Sequence, residues 1–276
     1  MKKPLNRGEP VDVNRRKRWV NVFLHYRAPV TEQQINDWLA QFEECDRDMG
    51  ARVLDSIEFI TQLQARRYFN VLLHSLPGWD DDEKKRKGKW RFVAFSMSSG
   101  ESGDTMVHLF RQANNLNGKQ YDKLFIYKRD LVTEALGPDD TVVFIDDFAG
   151  TGKQACGTWK ASSIPELLAG NSTAYLLLIA GNKYARERIE DETGLEVRTY
   201  TELTEADNIF SSKCKYFDSK EKQELIKYCK KANRTEPMGH GKCGFLIVFS
   251  HNCPNNSLPI LHAYHSKWYG LFRRYD

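Results

Sequence analysis

Thr141-Val142-Val143-Phe144-Ile145-Asp146-Asp147-Phe148-Ala149-Gly150-Thr151-Gly152-Lys153-Gln154 is the stretch that decides how this chain is read. The residues from Thr141 to Ile145 are all β-branched or aromatic, an unbroken run that suits a strand buried on both faces. Two adjacent carboxylates follow, then a turn of small residues, then a segment able to start a helix. This is the chemistry of a sugar-phosphate site. A carboxylate accepts hydrogen bonds from hydroxyls and can hold a ribose diol. Glycines let the backbone approach a ligand, and free amides at a helix start bind a phosphate. A P-loop reading of Gly152-Lys153 fails, because that motif needs Gly where Asp147 stands and Ser or Thr where Gln154 stands. An ordinary strand-to-helix turn with a capping Asp is the bland alternative. The joint order of strand, acids, Thr and Gly favours the phosphate site.

Working outward, Phe92-Val93-Ala94-Phe95 reads as a short buried strand that runs into Ser96-Met97-Ser98-Ser99-Gly100-Glu101-Ser102-Gly103-Asp104. Met106, Leu109, Phe110 and Ala113 then sit at helical spacing, so a second Ser/Gly loop opens a helix and offers amides and hydroxyls to an anion. A plain connector is the competing reading of that loop. Residues 123–127 are strand-like, and 130–136 read as a short helix. Beyond Gln154, a helix passes through Trp159 and Lys160, and Pro165 opens another. Residues 174–180 form another continuous apolar strand. Asn182 can cap a helix over 183–192 with Gly194 as its stop, and 195–200 make one more strand. Strands alternating with helices, several of them fully apolar, predict an α/β fold with a parallel sheet covered on both sides. The acids after Ile145 would then lie at the carboxyl end of the sheet, where such folds bind ligands.

The flanks differ in texture. Residues 1–18 are polar and basic, and the cluster Arg15-Arg16-Lys17-Arg18 reads as a solvated tail, with nucleic-acid contact as the alternative. Thr31 can cap a helix carrying Ile35, Trp38, Leu39 and Phe42, with Gln34 completing the cap. A second helix is predicted over 51–75, where Val53, Leu54, Ile57, Ile60 and Leu63 form a stripe continued by Phe69, Leu72 and Leu73. Trp38 and Trp79 read as packing residues, and Asp80-Asp81-Asp82-Glu83 as an exposed charged loop rather than a cation site. After Thr201, a Lys/Glu-rich helix over 218–232 precedes the apolar strand Phe245-Leu246-Ile247-Val248-Phe249. That strand ends in Ser250-His251-Asn252-Cys253-Pro254-Asn255-Asn256-Ser257-Leu258-Pro259, whose density of hydrogen-bonding side chains suggests a pocket wall. His251, His262 and His265 lack the spacing of a metal set, so no protein metal site is predicted.

A chain of 276 residues can bury a full α/β core, and 41% hydrophobic with 28% charged residues is ordinary for a soluble globular protein. A formal net charge of +4 is too small to argue for nucleic acid by itself. No apolar run approaches a membrane span, and the start, Met1-Lys2-Lys3-Pro4, has charge without an apolar core, so neither membrane nor secretion is expected. The six cysteines are scattered without a CxxC pair, which argues against zinc and suits reduced thiols in a cytoplasm.

At the acid pair and its turn, the chain resembles the type I phosphoribosyltransferases: Asp146-Asp147-Phe148-Ala149-Gly150-Thr151-Gly152 fits their diphosphate-sugar motif position by position. The final strand, the Ser-His-Asn-x-Pro-Asn-Asn-Ser-Leu-Pro run and the aromatic/Arg tail narrow the resemblance to the PRTase-CE family of bacterial conflict systems. Two departures touch the base side: His262 stands where a Trp is expected, and the ending Tyr-Gly-Leu-Phe-Arg-Arg lacks an expected Pro. The resemblance implies a Rossmann-like sheet of the type I phosphoribosyltransferase kind at 90–200, an N-terminal helical segment at 1–89 packed on it, and a C-terminal lobe at 201–276 completing the pocket.

The same resemblance assigns roles. Asp146 and Asp147 would hold the ribose hydroxyls as the catalytic acids. Ala149, Gly150, Thr151, Gly152, Lys153 and Gln154 would wrap the 5′-phosphate, although Gln154 replaces a Thr often found there. Ser98, Ser99, Gly100, Glu101, Ser102 and Gly103 occupy the place of the pyrophosphate loop. His251, Asn252, Asn255 and Asn256 would face the base or acceptor. Mg²⁺ is expected with the diphosphate ligand. The implied activity is that of an effector acting on an activated ribose, phosphoribosyl diphosphate or a nucleotide, as a pentosyltransferase or related N-glycosidase in anti-phage defence. A defence-system protein or nucleic acid is the implied partner. The alternative is a sensor that keeps the fold and binds a nucleotide or sugar phosphate without turnover, since no general base is evident near the acids in sequence.

Overall fold

The computed structural model describes residues 11–95, 102–162, 164–168 and 172–274. In chain order its main elements are α1 (Val13–Phe23), α2 (Glu32–Ala40), α3 (Arg47–Ser56), β1 (Glu58–Ile60), α4 (Gln62–His74), β2 (Trp90–Ala94), α5 (Ser102–Ala113), β3 (Thr141–Ala149), α6 (Lys153–Lys160), α7 (Ile164–Leu168), β4 (Thr173–Asn182), α8 (Lys183–Thr193), β5 (Glu196–Leu203), α9 (Ser219–Ala232), β6 (Ile247–Phe249), α10 (Pro259–His262), β7 (Tyr264–His265) and β8 (Trp268–Tyr269). They form two compact units, one of Met1–Gln62 with Thr204–Asp276 and one of Leu63–Leu203. The sequence had been divided at 89/90 and 200/201. The first boundary of the compact units falls earlier, so most of α4 belongs with the sheet.

The Leu63–Leu203 unit is built on a parallel sheet in the order β2-β3-β4-β5. Its inner strands, β3 and β4, are apolar because both faces are covered. On one face Val142, Phe144, Leu176 and Leu178 join Trp159 of α6 and Ala185 and Ile189 of α8 in one core. On the other, Phe92 meets Phe110 of α5 at 4.9 Å between ring centroids, and Phe110 meets Phe69 of α4 at 5.6 Å. The predicted strand at 123–127 shrinks to a single parallel bridge between Phe125 and Phe92. Tight 3₁₀ turns at Lys119–Leu124 and Lys128–Thr133 consume its flanks. The helix predicted at 130–136 is the second of these turns. The caps read from sequence are present: Asn182 accepts from the Tyr184 amide, and Gly194 closes α8 at φ 72°.

The other unit packs aromatic residues. Phe42 lies 4.9 Å from Trp38 and 5.5 Å from Trp268, and both indoles donate to the Ile260 carbonyl, at 2.8 and 2.9 Å. Thr31 and Gln34 form the expected reciprocal cap on α2. Two expectations are corrected here. The single helix over 51–75 is interrupted, because Ile57 leaves helical geometry and Glu58–Ile60 pairs in parallel with Ile247–Phe249; a distant strand overrides the helical period. The basic cluster is not a tail, although its Lys17 and Arg18 are exposed. It lies in α1, and Arg15 is buried, donating through Nη2 and Nε to Asp55 at 2.6 and 3.1 Å while the Trp19 indole donates to the same carboxylate at 2.8 Å.

Candidate functional site

The sheet places the acid pair through strand lengths. Ala94, the last residue of β2, pairs with Ile145, whereas β3 continues to Ala149 alongside β4. Among the described residues, 146–149 thus overhang the β2 pairing at the carboxyl end, alongside β4. The chain runs from β2 outward to Phe125 and then returns past β2 to form β3. The direction of winding reverses between β2 and β3, and open α/β sheets bind ligands at such a reversal, outside the carboxyl ends of the strands.

Asp146 is only partly accessible and is closely surrounded by protein. Burial drives its carboxyl well above the ordinary range, and the neighbouring charge of Asp147 drives it the same way. The Asp147 amide donates to Asp146 Oδ1 at 3.0 Å, and this bond and the ammonium of Lys128 oppose the shift without cancelling it. Lys128 was not singled out in the sequence. It follows the strand-like segment at 123–127, and that position was the available signal. Its Nζ donates to the Phe95 carbonyl and lies 5.2 Å from the Phe95 ring centroid. Burial lowers its ammonium to about 8, against the pull of Asp146.

The turn after the acids is built as a helix start. Ala149, Gly150 and Gly152 are buried, whereas Lys153 and Gln154 are exposed. Gly152 is the N-cap of α6 at φ 72°, a backbone that favours glycine, and a Cβ there would lie 2.9 Å from the Ala185 carbonyl oxygen. The Cys156 amide donates to the Gly152 carbonyl at 2.9 Å. The preceding amides of Gln154 and Ala155 therefore have no partner within the helix, the arrangement that receives an anion. Thr151 Oγ1 accepts from the Lys153 amide at 3.4 Å, and the Thr151 carbonyl accepts from Arg188 Nη1 at 3.0 Å. Arg188, from α8, is a second cation at the turn that sequence reading missed, because thirty-odd residues separate it from Thr151.

Asp146, Asp147, Ala149, Gly150, Thr151, Gly152, Lys153 and Gln154 therefore gather at one end of one sheet. Ser102 and Gly103 open α5 directly after the segment that follows β2, while Ser98, Ser99, Gly100 and Glu101 lie outside the described residues. His251, Asn252, Asn255 and Asn256 belong to the other compact unit. There the polar loop largely bonds to its own unit: Asn256 Nδ2 donates to the His240 carbonyl at 3.0 Å, the Asn255 carbonyl accepts from the His240 amide at 2.8 Å, and buried Ser257 donates to the Ile247 carbonyl at 2.7 Å. His251 lies against the Phe249 ring at 5.4 Å. No group of three or more His, Cys, Asp or Glu side chains among the described residues could hold a metal ion. No helix among them is long and apolar enough to cross a membrane.

None of the curated proteins matches this chain. A family model does, from residue 35 to residue 274, and it covers both units together with the acid pair and its turn: the chain belongs to the PRTase-CE family.

Proposed function

We propose that the Leu63–Leu203 unit binds an activated 5-phosphoribosyl group, supplied as phosphoribosyl diphosphate or a nucleotide, and transfers or releases it at C1. The observation that carries this reading is the overhang of β3, which delivers Asp146 and Asp147 directly before a glycine-capped helix start. The acids suit the vicinal hydroxyls of a ribose. The turn at 149–154, with the unpaired amides of α6 behind it, suits the 5-phosphate. Departure of a group from C1 leaves an oxocarbenium-like sugar, so the protein's task is to fix phosphate and diol while the leaving group departs. Mg²⁺ would arrive with the diphosphate substrate and would offset its negative charge. On this reading the protein acts as a cytoplasmic effector of anti-phage defence, together with a protein or nucleic-acid partner.

The test is calorimetric titration with magnesium phosphoribosyl diphosphate, combined with release of label from a ribose-labelled substrate or from NAD. Binding together with release establishes a transferase or glycosidase. Binding that Asp147→Asn abolishes, with no release, would make the protein a sugar-phosphate sensor. No binding of phosphoribosyl diphosphate or of any nucleotide would overturn the reading.

A further inference from the structure

The acid pair poses a charge problem that the residues of its own strand do not solve. A diol donates two hydrogen bonds, and two carboxylates receive them best when ionised. Asp146, however, is enclosed by protein beside a second carboxylate, and like charges at such separations resist joint ionisation. The charged groups that act on Asp146 are Asp147 on its own strand and Lys128 from the turn Lys128–Thr133. The geometry at Lys128 is specific. Its stem lies in protein, its Nζ donates to the carbonyl of Phe95, immediately past the end of β2, and the Phe95 ring flanks the same ammonium at 5.2 Å. Phe95 is itself fixed, because its amide donates to Ile145 O at 3.1 Å, on the residue immediately before Asp146. The cation thus sits on the residue that joins the end of β2 to β3 just before its acids.

We propose that Lys128, anchored on the Phe95 carbonyl, is the positioning residue that favours the charged, diol-gripping form of the acid pair. A buried ammonium is costly and persists only where something compensates it. Asp146 supplies part of that compensation, and Lys128 in turn favours the ionised Asp146 against burial and against Asp147. The proposal rests on the site reading above for its ligand but not for its central measurement, which concerns the unliganded protein.

That measurement is an infrared pH titration of the full chain and of Lys128→Met, each referenced to its own Asp146→Asn variant, following the band of the protonated carboxyl. Loss of the cation is expected to extend this band to higher pH by about one unit or more. Lys128→Arg, which keeps the charge, is expected to restore the wild-type titration. In parallel, Lys128→Met is expected to weaken magnesium phosphoribosyl diphosphate binding at neutral pH by about tenfold or more and to recover part of it at alkaline pH. An infrared titration unchanged by Lys128→Met would overturn the inference. So would equal loss of binding at every pH together with a lowered unfolding temperature, which would mark a merely structural lysine. If the infrared shift appears but no variant, wild type included, binds the ligand, the site reading fails while the charge coupling stands.

Discussion

Two aspartates, one just before strand β3 and one near its carboxyl end, are driven in opposite directions. Just before the strand, Asp140 accepts from the Lys89 amide at 2.7 Å and the Gly137 amide at 2.8 Å. Burial alone would raise its carboxyl, but these two backbone bonds, together with the charges of Lys89 and Arg91, outweigh burial and hold it below the ordinary range. Its own carbonyl accepts from the Thr173 amide at 2.9 Å, so one residue stitches the starts of β2, β3 and β4. At the far end, Asp146 receives one backbone amide and a second carboxylate, and its carboxyl is driven up. The first aspartate is satisfied by the fold. The second is left for something the fold does not supply. Carboxylates made unfavourable by their surroundings mark functional sites, whereas those satisfied by backbone amides mark architecture.

Neutralising each end separates the two roles most sharply. The double variant Asp146→Asn, Asp147→Asn is expected to lose phosphoribosyl diphosphate binding below detection in a calorimetric titration while unfolding no more easily than wild type. Asp140→Ala is expected to do the reverse. It leaves two partly buried amides without their acceptor and should cost about 2 kcal/mol in urea unfolding, with ligand affinity of the folded protein nearly intact. If both variants lost stability equally, the distinction between the ends of the strand would collapse.

What could be read in the sequence follows the same division between local and distant causes. The apolar run into Asp146-Asp147, the Thr31/Gln34 cap, the Asn182 cap and the Gly194 stop are written within a few residues, and all are present in the fold. The parallel pairing of Glu58–Ile60 with Ile247–Phe249 is not, because nothing near residue 58 announces a strand nearly two hundred residues away. For the same reason Arg15 looked solvated: its partner, Asp55, arrives from α3. Within the site, the acids and the turn were legible, because strand, carboxylates and glycines adjoin. Lys128 and Arg188 were not, since each reaches the site from another element.

The end that carries the acid pair should also show its cost in the turn. Gly152→Ala forces a β-carbon into a left-handed backbone and to within 2.9 Å of the Ala185 carbonyl oxygen. The expected penalty is about 2 kcal/mol in urea unfolding, accompanied by weaker phosphate binding as α6 is displaced. At Gly194, where the same left-handed backbone caps α8 but nothing lies within 4 Å of an added β-carbon, Ala is expected to cost only about 1 kcal/mol and to leave binding unchanged. Equal penalties at the two glycines would remove the close approach as a cause.

The smallest effect is the most diagnostic, because its sign differs between the two aspartates. Asp140 is held below its unfolded value, so its stabilisation is fully present above about pH 4 and drains away as pH falls through its folded value. Asp146 is held above its unfolded value, so the proton it retains stabilises the fold below about pH 4, and that advantage is lost as pH rises through its folded value. Asparagine copies the protonated acid and does not ionise. Asp146→Asn should therefore gain on wild type as pH is raised from 5 to 8, by about 1 kcal/mol or more, measured as the difference between their urea midpoints at each pH. Asp140→Asn should show no such gain over that range, because Asp140 is ionised throughout it, and should instead approach wild type only in acid. Parallel pH profiles for the two variants would mean that the ends of β3 are not electrostatically different, and the case for a ligand at the upper end would then rest on the turn alone.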